Sequence, residues 1–123
     1  MQIALIGCGA IGTALLELVK DDTGLQIAAI VVPVDGADAA RSVAQRLAPG
    51  AQIVQAVPTG GIDLVVEAAG HAAIEQHVLP ALRRGVPCIV ASVGAPSAPG
   101  LPEQLEAAAR EARTQVLLVA GAI

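Results

Sequence analysis

Residues 2–12 of this 123-residue chain, QIALIGCGAIG, give the clearest indication of its fold. Residues 2–6 are mostly apolar and predict a buried strand. The glycine-rich segment GCGAIG, residues 7–12, follows at once, and apolar residues spaced three or four apart predict a helix over residues 11–21. A strand, a glycine-rich turn and a helix in direct succession are typical of a loop that binds the pyrophosphate of a dinucleotide. The alternative is a turn that binds nothing.

Each position of this segment has a predicted role. Gly7 allows the tight turn, Gly9 lets the backbone approach a pyrophosphate, and Gly12 lets the helix pack closely on the strand. Ala10 and Ile11 lie at the start of the helix, where backbone N–H groups have no partner within the helix and the helix dipole is positive. We therefore predict that residues 7–12 form a phosphate-binding loop.

The rest of the chain alternates between short apolar runs and helical patterns. Such alternation predicts parallel strands joined by right-handed helical crossovers, with helices on both faces of the sheet. Pro80 falls inside one helical pattern and should kink it. The sequence thus predicts an α/β fold, a Rossmann-like, doubly wound sheet of six parallel strands formed as one domain over residues 1–123. The further predicted strands are 25–32, 52–55, 63–68, 87–91 and 115–119, and the further helices are 38–48, 72–84 and 102–112.

Composition excludes several classes of function. The chain is 54% hydrophobic but contains no Phe, Tyr or Trp, and its net charge is −4. Without aromatic side chains or excess positive charge, nucleic-acid binding is not expected. No apolar run approaches the roughly 18 residues of a membrane span, and the start has no basic region typical of a signal peptide. Two cysteines without an export signal predict reduced thiols and a cytoplasmic protein.

The nucleotide predicted from the sequence is NAD, with NADP also possible. The ribose hydroxyl of NAD is usually held by an acid at the end of the second strand. Here the nearest acid is Asp35, two or three positions late, which either curls back to the ribose or is a turn residue before Gly36. No arginine follows the strand directly to bind the additional phosphate of NADP, and Arg41 is the nearest.

Three polar residues lie at the carboxyl ends of the later strands or just after them, at the edge where ligands bind in such folds. Glu67 contacts a ribose hydroxyl or caps the next helix. His71 contacts the cofactor or substrate, or simply begins its helix, and Ser92 is a candidate to hydrogen-bond the nicotinamide side. Cys8, beside the predicted phosphates, should remain a neutral thiol, and no set of residues has the spacing of a metal site.

Residues 63–95, DLVVEAAGHAAIEQHVLPALRRGVPCIVASVGA, carry a more specific signal. Together with IGCGAIG near the start and the final GAI, this block resembles the N-terminal half of the L-aspartate dehydrogenases over the whole chain. That family is related to the cofactor domains of homoserine dehydrogenase and dihydrodipicolinate reductase. On this resemblance the loop after the fourth strand, with Ala69, Gly70 and His71, passes the nicotinamide ribose. The loop with Gly121 and Ala122 lies near the nicotinamide.

The resemblance implies NAD(P)-dependent oxidative deamination of L-aspartate by a homodimer. It also implies that the catalytic residues lie in a second domain, which the chain is expected to lack because it stops at Ile123. On this basis residues 1–123 are the cofactor domain and are inactive alone. Two alternatives remain open: the cofactor domain of a homoserine dehydrogenase or dihydrodipicolinate reductase relative, and a non-catalytic nucleotide-sensing module.

Overall fold

A computed structural model describes residues 1–92 and 99–119. Its six strands form one sheet in which every neighbouring pair is parallel, as the alternating pattern predicted. The strands are β1 (Gln2–Ile6), β2 (Gln26–Val31), β3 (Gln52–Val54), β4 (Leu64–Glu67), β5 (Cys88–Val90) and β6 (Val116–Leu118). Their order in the sheet is β3-β2-β1-β4-β5-β6, the order of the doubly wound dinucleotide fold.

The helices follow the predicted pattern, with one local difference. They are α1 (Ala10–Val19), α2 (Ala37–Leu47), α3 (His71–Ala73), α4 (Leu79–Arg83) and α5 (Leu101–Glu111). A short 3₁₀ turn (Val34–Gly36) precedes α2.

The third predicted helix is continuous but irregular. A π-helical segment (Ile74–Val78) joins α3 to α4, and the Leu79 N–H bonds to the carbonyl of Ile74 in a wider turn. The predicted disturbance by Pro80 therefore takes the form of this π turn. Proline cannot donate to the carbonyl four residues earlier, and its ring crowds that carbonyl, so a wider turn relieves the contact.

Helices cover both faces of the sheet, and two aliphatic cores result. On one face α1 and α2 pack on Leu5 and Ile30 through Leu16 and Leu47, among others. On the other face the helix of residues 71–83 and α5 enclose a larger core. Fully buried alanines such as Ala4 and Ala81 allow close packing where a core with aromatic residues would need more space. The fold therefore confirms the sequence prediction of helices on both faces.

The strand order reverses beside β1, and this places the glycine-rich segment. After β3, at one edge of the sheet, the chain returns to β4 on the other side of β1. Ile6 lies opposite Val31 on one side and Glu67 on the other, so the carboxyl ends of the central strands are level. Ligands of open α/β sheets bind outside the carboxyl ends of the strands at such a switch point. No helix in the described part of the chain is long and apolar enough to span a membrane.

Candidate nucleotide-binding site

The glycine-rich segment makes a tight turn directly beyond β1. Gly7 has φ +94°, a backbone conformation that favours glycine, and its N–H donates to the carbonyl of Val31 at 2.9 Å. A Cβ atom at this position would lie 2.9 Å from the carbonyl oxygen of Ala68 and 2.9 Å from the Cβ of Ala69. The loops that follow β1 and β4 therefore touch, and only glycine fits between them.

Gly12 has the close-packing role that its spacing predicted. It is buried in the first turn of α1, where an added Cβ would lie 2.7 Å from the carbonyl oxygen of Gly7. That distance is shorter than any van der Waals contact of a real side chain, so the helix and the turn are in direct backbone contact. Gly12 thus fixes where α1 begins relative to the strand.

Replacing Gly12 with alanine is expected to lower the free energy of unfolding by about 1–2 kcal/mol. Forcing a methyl group into a filled space costs ~1–3 kcal/mol, and the better helix propensity of alanine returns at most ~1 kcal/mol. Urea unfolding followed by far-UV circular dichroism measures the change, since the chain has no Trp or Tyr for fluorescence. Gly50→Ala, where an added Cβ would meet nothing within 4 Å, is the matched control. Unchanged stability of Gly12→Ala would contradict the described contact.

The start of α1 presents unpaired N–H groups toward open space. Gly9 is the N-cap, no side chain caps the helix, and the Gly9 carbonyl accepts the first helical hydrogen bond from Thr13 at 2.9 Å. The N–H groups of the first turn therefore have no acceptor within the helix. A Cβ at Gly9 would meet no atom within 4 Å, so the space in front of this turn is free. An uncapped helix start behind an open space is suited to bind a phosphate group.

Two side chains of the segment differ in exposure and chemistry. Ile11 is 43% exposed although it is large and apolar. Cys8 is half-buried, and burial raises the pKa of its thiol, with a smaller opposing effect from the Thr13 side chain. The thiol is therefore neutral at neutral pH, so Cys8 adds no negative charge beside a bound anion.

The two cysteines are expected to differ in reactivity. Iodoacetamide at pH 8 should modify Cys8 at least about tenfold faster than Cys88, because only the thiolate attacks. Cys88 is 2% exposed, and burial raises the pKa of its thiol to about 12, with a smaller opposing effect from Arg84. Peptide mass spectrometry identifies the modified residue, with Cys8→Ser as control. Preferential modification of Cys88 would contradict this structure, whereas protection of Cys8 by added NAD would support binding at the loop.

Glu67 is a buried carboxylate that joins two loops. It ends β4 and is 0% exposed, the only buried polar or charged residue in the described ranges. Its Oε2 atom accepts hydrogen bonds from the N–H groups of Ala69 and Gly70, each at 2.7 Å. Its Oε1 atom accepts from the Ser92 N–H at 3.2 Å, and the Ser92 hydroxyl donates from 2.7 Å to either carboxylate oxygen. Glu67 thus holds the loop between β4 and α3 and reaches the loop after β5, whereas no side chain caps α3 itself. Its predicted contact with a ribose hydroxyl stays a prediction.

The loop after β4 depends on glycine at its end. Gly70 has φ +138° and ψ 179°, a region open essentially to glycine alone, and it is the N-cap of α3. His71 begins that helix, as the sequence predicted, and its side chain is half-buried. His77 lies in the π-helical segment, where burial lowers the pKa of its imidazole.

The corner after β2 carries the acid that the sequence singled out. Asp35 is exposed within the 3₁₀ turn, so its side chain is open to a ligand. Arg41 pairs with Asp38 at 2.7 Å on the surface of α2. The corner therefore has two carboxylates and one guanidinium, a net negative charge that disfavours an additional phosphate.

Most of the predicted site residues come together at one edge of the sheet. Gly7, Gly12, Ala69 and Gly70 lie within the packed loops, while Ser92 joins them through Glu67. Gly121 and Ala122 lie outside the described residues. No group of three or more His, Cys, Asp or Glu side chains within residues 1–92 and 99–119 could hold a metal ion.

Two grooves in the described part of the chain lie away from the glycine-rich segment. A groove of about 630 Å³ lies at the amino ends of β1 and β2, and another of about 710 Å³ lies beside β6. Neither is lined by a residue of the glycine-rich segment. The backbone geometry of the segment identifies the site instead, because its free N–H groups and missing side chain provide what a phosphate needs.

Sequence comparison finds relatives that match this chain along its whole length. The chain is 48% identical to an L-aspartate dehydrogenase from Cupriavidus necator over 123 residues, and 49% identical to one from Pseudomonas aeruginosa over 124 residues. In each case the match covers 100% of this chain and 46% of the relative. The chain thus spans a little under half the length of these relatives.

Solved structures share the fold at low sequence identity. GenD2 from gentamicin A biosynthesis, in complex with NAD, matches with a TM-score of 0.77 at 20% identity, over 96% of this chain and 34% of that one. Homoserine dehydrogenase from S. aureus matches with a TM-score of 0.72 at 17% identity, over 96% and 32%. These likenesses establish the Rossmann-like fold.

The family model that matches is described as the NAD-binding domain of homoserine dehydrogenase, and the match extends over residues 7–119. It includes the glycine-rich segment and reaches past β6. The chain therefore belongs to the family of homoserine dehydrogenase NAD-binding domains.

Proposed function

We propose that the chain binds NAD through the glycine-rich segment and is the cofactor domain of an L-aspartate dehydrogenase. The observation that carries the first part is the uncapped start of α1 behind Gly9, where an added Cβ would fill only open space. Free N–H groups at that point suit the two negative charges of a pyrophosphate. Membership of a family of NAD-binding domains supports the same cofactor.

In this proposal the residues of the chain bind and orient the cofactor. The N–H groups of Ala10, Ile11 and Gly12 hold the pyrophosphate, and the missing side chain of Gly9 allows it to approach. The loops after β4 and β5, joined by Glu67, border the nicotinamide half. NAD, when bound, accepts a hydride from the substrate carbon.

The proposed reaction is the oxidative deamination of L-aspartate to iminoaspartate, which water converts to oxaloacetate and ammonia. The relatives named L-aspartate dehydrogenase, 48% and 49% identical, support this substrate. We further propose that the substrate-binding and catalytic residues lie in the part of those relatives that this chain does not match. The whole protein is proposed to be a homodimer in the cytoplasm. The two free thiols of the described chain support the cytoplasmic location.

Activity assays of the longer protein would test the substrate. Cofactor reduction should be seen with L-aspartate, while L-homoserine and dihydrodipicolinate-type substrates should give little or none. The family description makes homoserine the strongest competing substrate. Turnover of L-homoserine alone would replace the aspartate proposal, and binding of NAD without any turnover would favour a nucleotide-sensing module.

The chain is expected to bind NAD at least about tenfold more tightly than NADP. The corner after β2 has a net negative charge from Asp35 and Asp38 against Arg41, so an additional phosphate is repelled. Calorimetric titration measures the dissociation constants of NAD and NADP. Asp35→Asn should reduce the difference in affinity between the two nucleotides. Glu17→Gln, an exposed change on α1, is the control. Tighter binding of NADP would contradict the assignment of NAD, and absence of binding of both at millimolar concentration would contradict the cofactor proposal.

A further inference from the structure

The buried carboxylate of Glu67 determines which kind of hydrogen bond Ser92 can still make. Ser92 has two donors, its N–H and its hydroxyl, and both are directed to Glu67. A hydroxyl has one hydrogen atom and two lone pairs, and an ionised carboxylate only accepts. The half-buried Ser92 hydroxyl therefore has no hydrogen left to donate to a ligand and can only accept a hydrogen bond from it.

The same carboxylate occupies the N–H donors on the opposite side. Ala69 and Gly70 both donate to its Oε2 atom at 2.7 Å. Four donors from two loops thus converge on one side chain that is 0% exposed. The site is consequently divided: unpaired donors lie at the start of α1, whereas Ser92, after β5, presents an acceptor.

The position of Ser92 in the fold indicates which part of a dinucleotide it faces. A doubly wound sheet has two mononucleotide-binding halves, and the pyrophosphate lies at the first helix between them. β4, β5 and β6 form the second half, which receives the nicotinamide nucleotide when the first half, with Asp35, receives the adenosine. The nicotinamide ring carries a carboxamide, whose NH₂ group is a donor that needs an acceptor.

We propose that the Ser92 hydroxyl accepts a hydrogen bond from the nicotinamide carboxamide, and that Glu67 is the positioning residue that makes Ser92 an acceptor. This inference rests on the proposed binding of NAD. It goes further in assigning a specificity. The site is proposed to bind a nicotinamide, which has a carboxamide N–H, more tightly than an analogue that lacks this N–H.

The test compares three ligands by calorimetric titration of the 123-residue chain. These are NAD, its 3-acetylpyridine analogue, which has no amide N–H, and ADP-ribose, which has no nicotinamide. The native chain should bind NAD about three- to tenfold more tightly than the analogue, the net effect of one hydrogen bond. Ser92→Ala should reduce that ratio to about one without changing the affinity for ADP-ribose, and Ser92→Thr, which keeps the hydroxyl, should preserve it.

Glu67→Gln tests the positioning role of Glu67 through the same ratio, the affinity for NAD relative to that for its 3-acetylpyridine analogue. The glutamine amide can donate to the Ser92 oxygen, which frees the hydroxyl hydrogen to point toward the ligand. The preference for NAD over the analogue should then disappear, whereas a purely structural defect would weaken both ligands equally. Circular dichroism establishes that the variant is folded, and the Ser92 variants test the proposal independently if it is not.

Two outcomes would overturn the inference, and they are distinguishable. If Ser92→Ala keeps the ratio of the native chain, Ser92 does not recognise the carboxamide although NAD binding stands. If the native chain binds neither NAD nor ADP-ribose, the cofactor proposal itself fails and the inference fails with it.

Discussion

Replacing Gly9 with valine should abolish measurable NAD binding while the domain remains folded. The valine side chain would occupy the open space in front of α1 that a pyrophosphate needs. Loss of two charge-assisted hydrogen bonds to phosphate costs at least about 3 kcal/mol, or roughly 100-fold in affinity. The backbone of Gly9, with φ −83° and ψ −151°, is extended and accessible to other residues, so the folding cost should be only about 1 kcal/mol from the poorer N-cap.

A matched control separates the site from the substitution. Gly50→Val makes the same change at the amino edge of the sheet, where an added Cβ also meets nothing within 4 Å. Calorimetry should show normal NAD binding by this variant and none by Gly9→Val, with both showing native circular dichroism. Unchanged affinity of Gly9→Val would mean that residues 7–12 are only a turn, the alternative that the sequence leaves open.

The fold could be predicted from sequence because its signals are local and repeated. Each strand is a short apolar run, with Gly7 directly after β1 and Pro87 directly before β5. Each long helix has its own apolar periodicity. The predicted strand 25–32 is β2 (Gln26–Val31), and the predicted helix 102–112 is α5 (Leu101–Glu111). The strand order follows from right-handed crossovers and a glycine-rich turn after β1.

The irregular helix shows where local signals are ambiguous. Pro80 signals a disturbance, but sequence does not specify whether the helix bends or widens. In the structure the helix widens into a π-helical segment (Ile74–Val78), in which Ile74 and Val78 are both fully buried. Packing of the apolar face against the sheet selects this solution, and packing is a property of the whole fold.

The link between Glu67 and Ser92 could not be predicted because it joins residues 25 positions apart. Sequence places each residue at the end of its strand and therefore near the same edge. It does not show that the Ser92 hydroxyl donates its hydrogen to Glu67. Sequence alone therefore predicts a hydrogen bond between Ser92 and the nicotinamide side of the cofactor, but not whether Ser92 donates or accepts. One signal was present: a charged residue ending a buried apolar strand requires hydrogen-bond donors nearby.

Glu67→Ala is expected to lower the free energy of unfolding by about 3–5 kcal/mol. The change leaves the donors of Ala69, Gly70 and Ser92 without their acceptor, and each unsatisfied buried donor costs ~1–3 kcal/mol. Entry of water into the vacated space limits the sum. Since a domain of this size is stable by only about 5–15 kcal/mol, the loss is a large part of the total.

Thermal and urea unfolding, followed by far-UV circular dichroism, would measure this loss as a decrease of roughly 15 °C in Tm. Ser92→Ala removes one donor and leaves the three N–H bonds in place, so it should cost only about 1 kcal/mol. Glu17→Ala, on the exposed side of α1, should change stability by less than about 0.5 kcal/mol. A Glu67→Ala variant as stable as Glu17→Ala would mean that the two loops are not held by this carboxylate. The graded order of the three variants is expected because stability here depends on how many buried donors keep an acceptor.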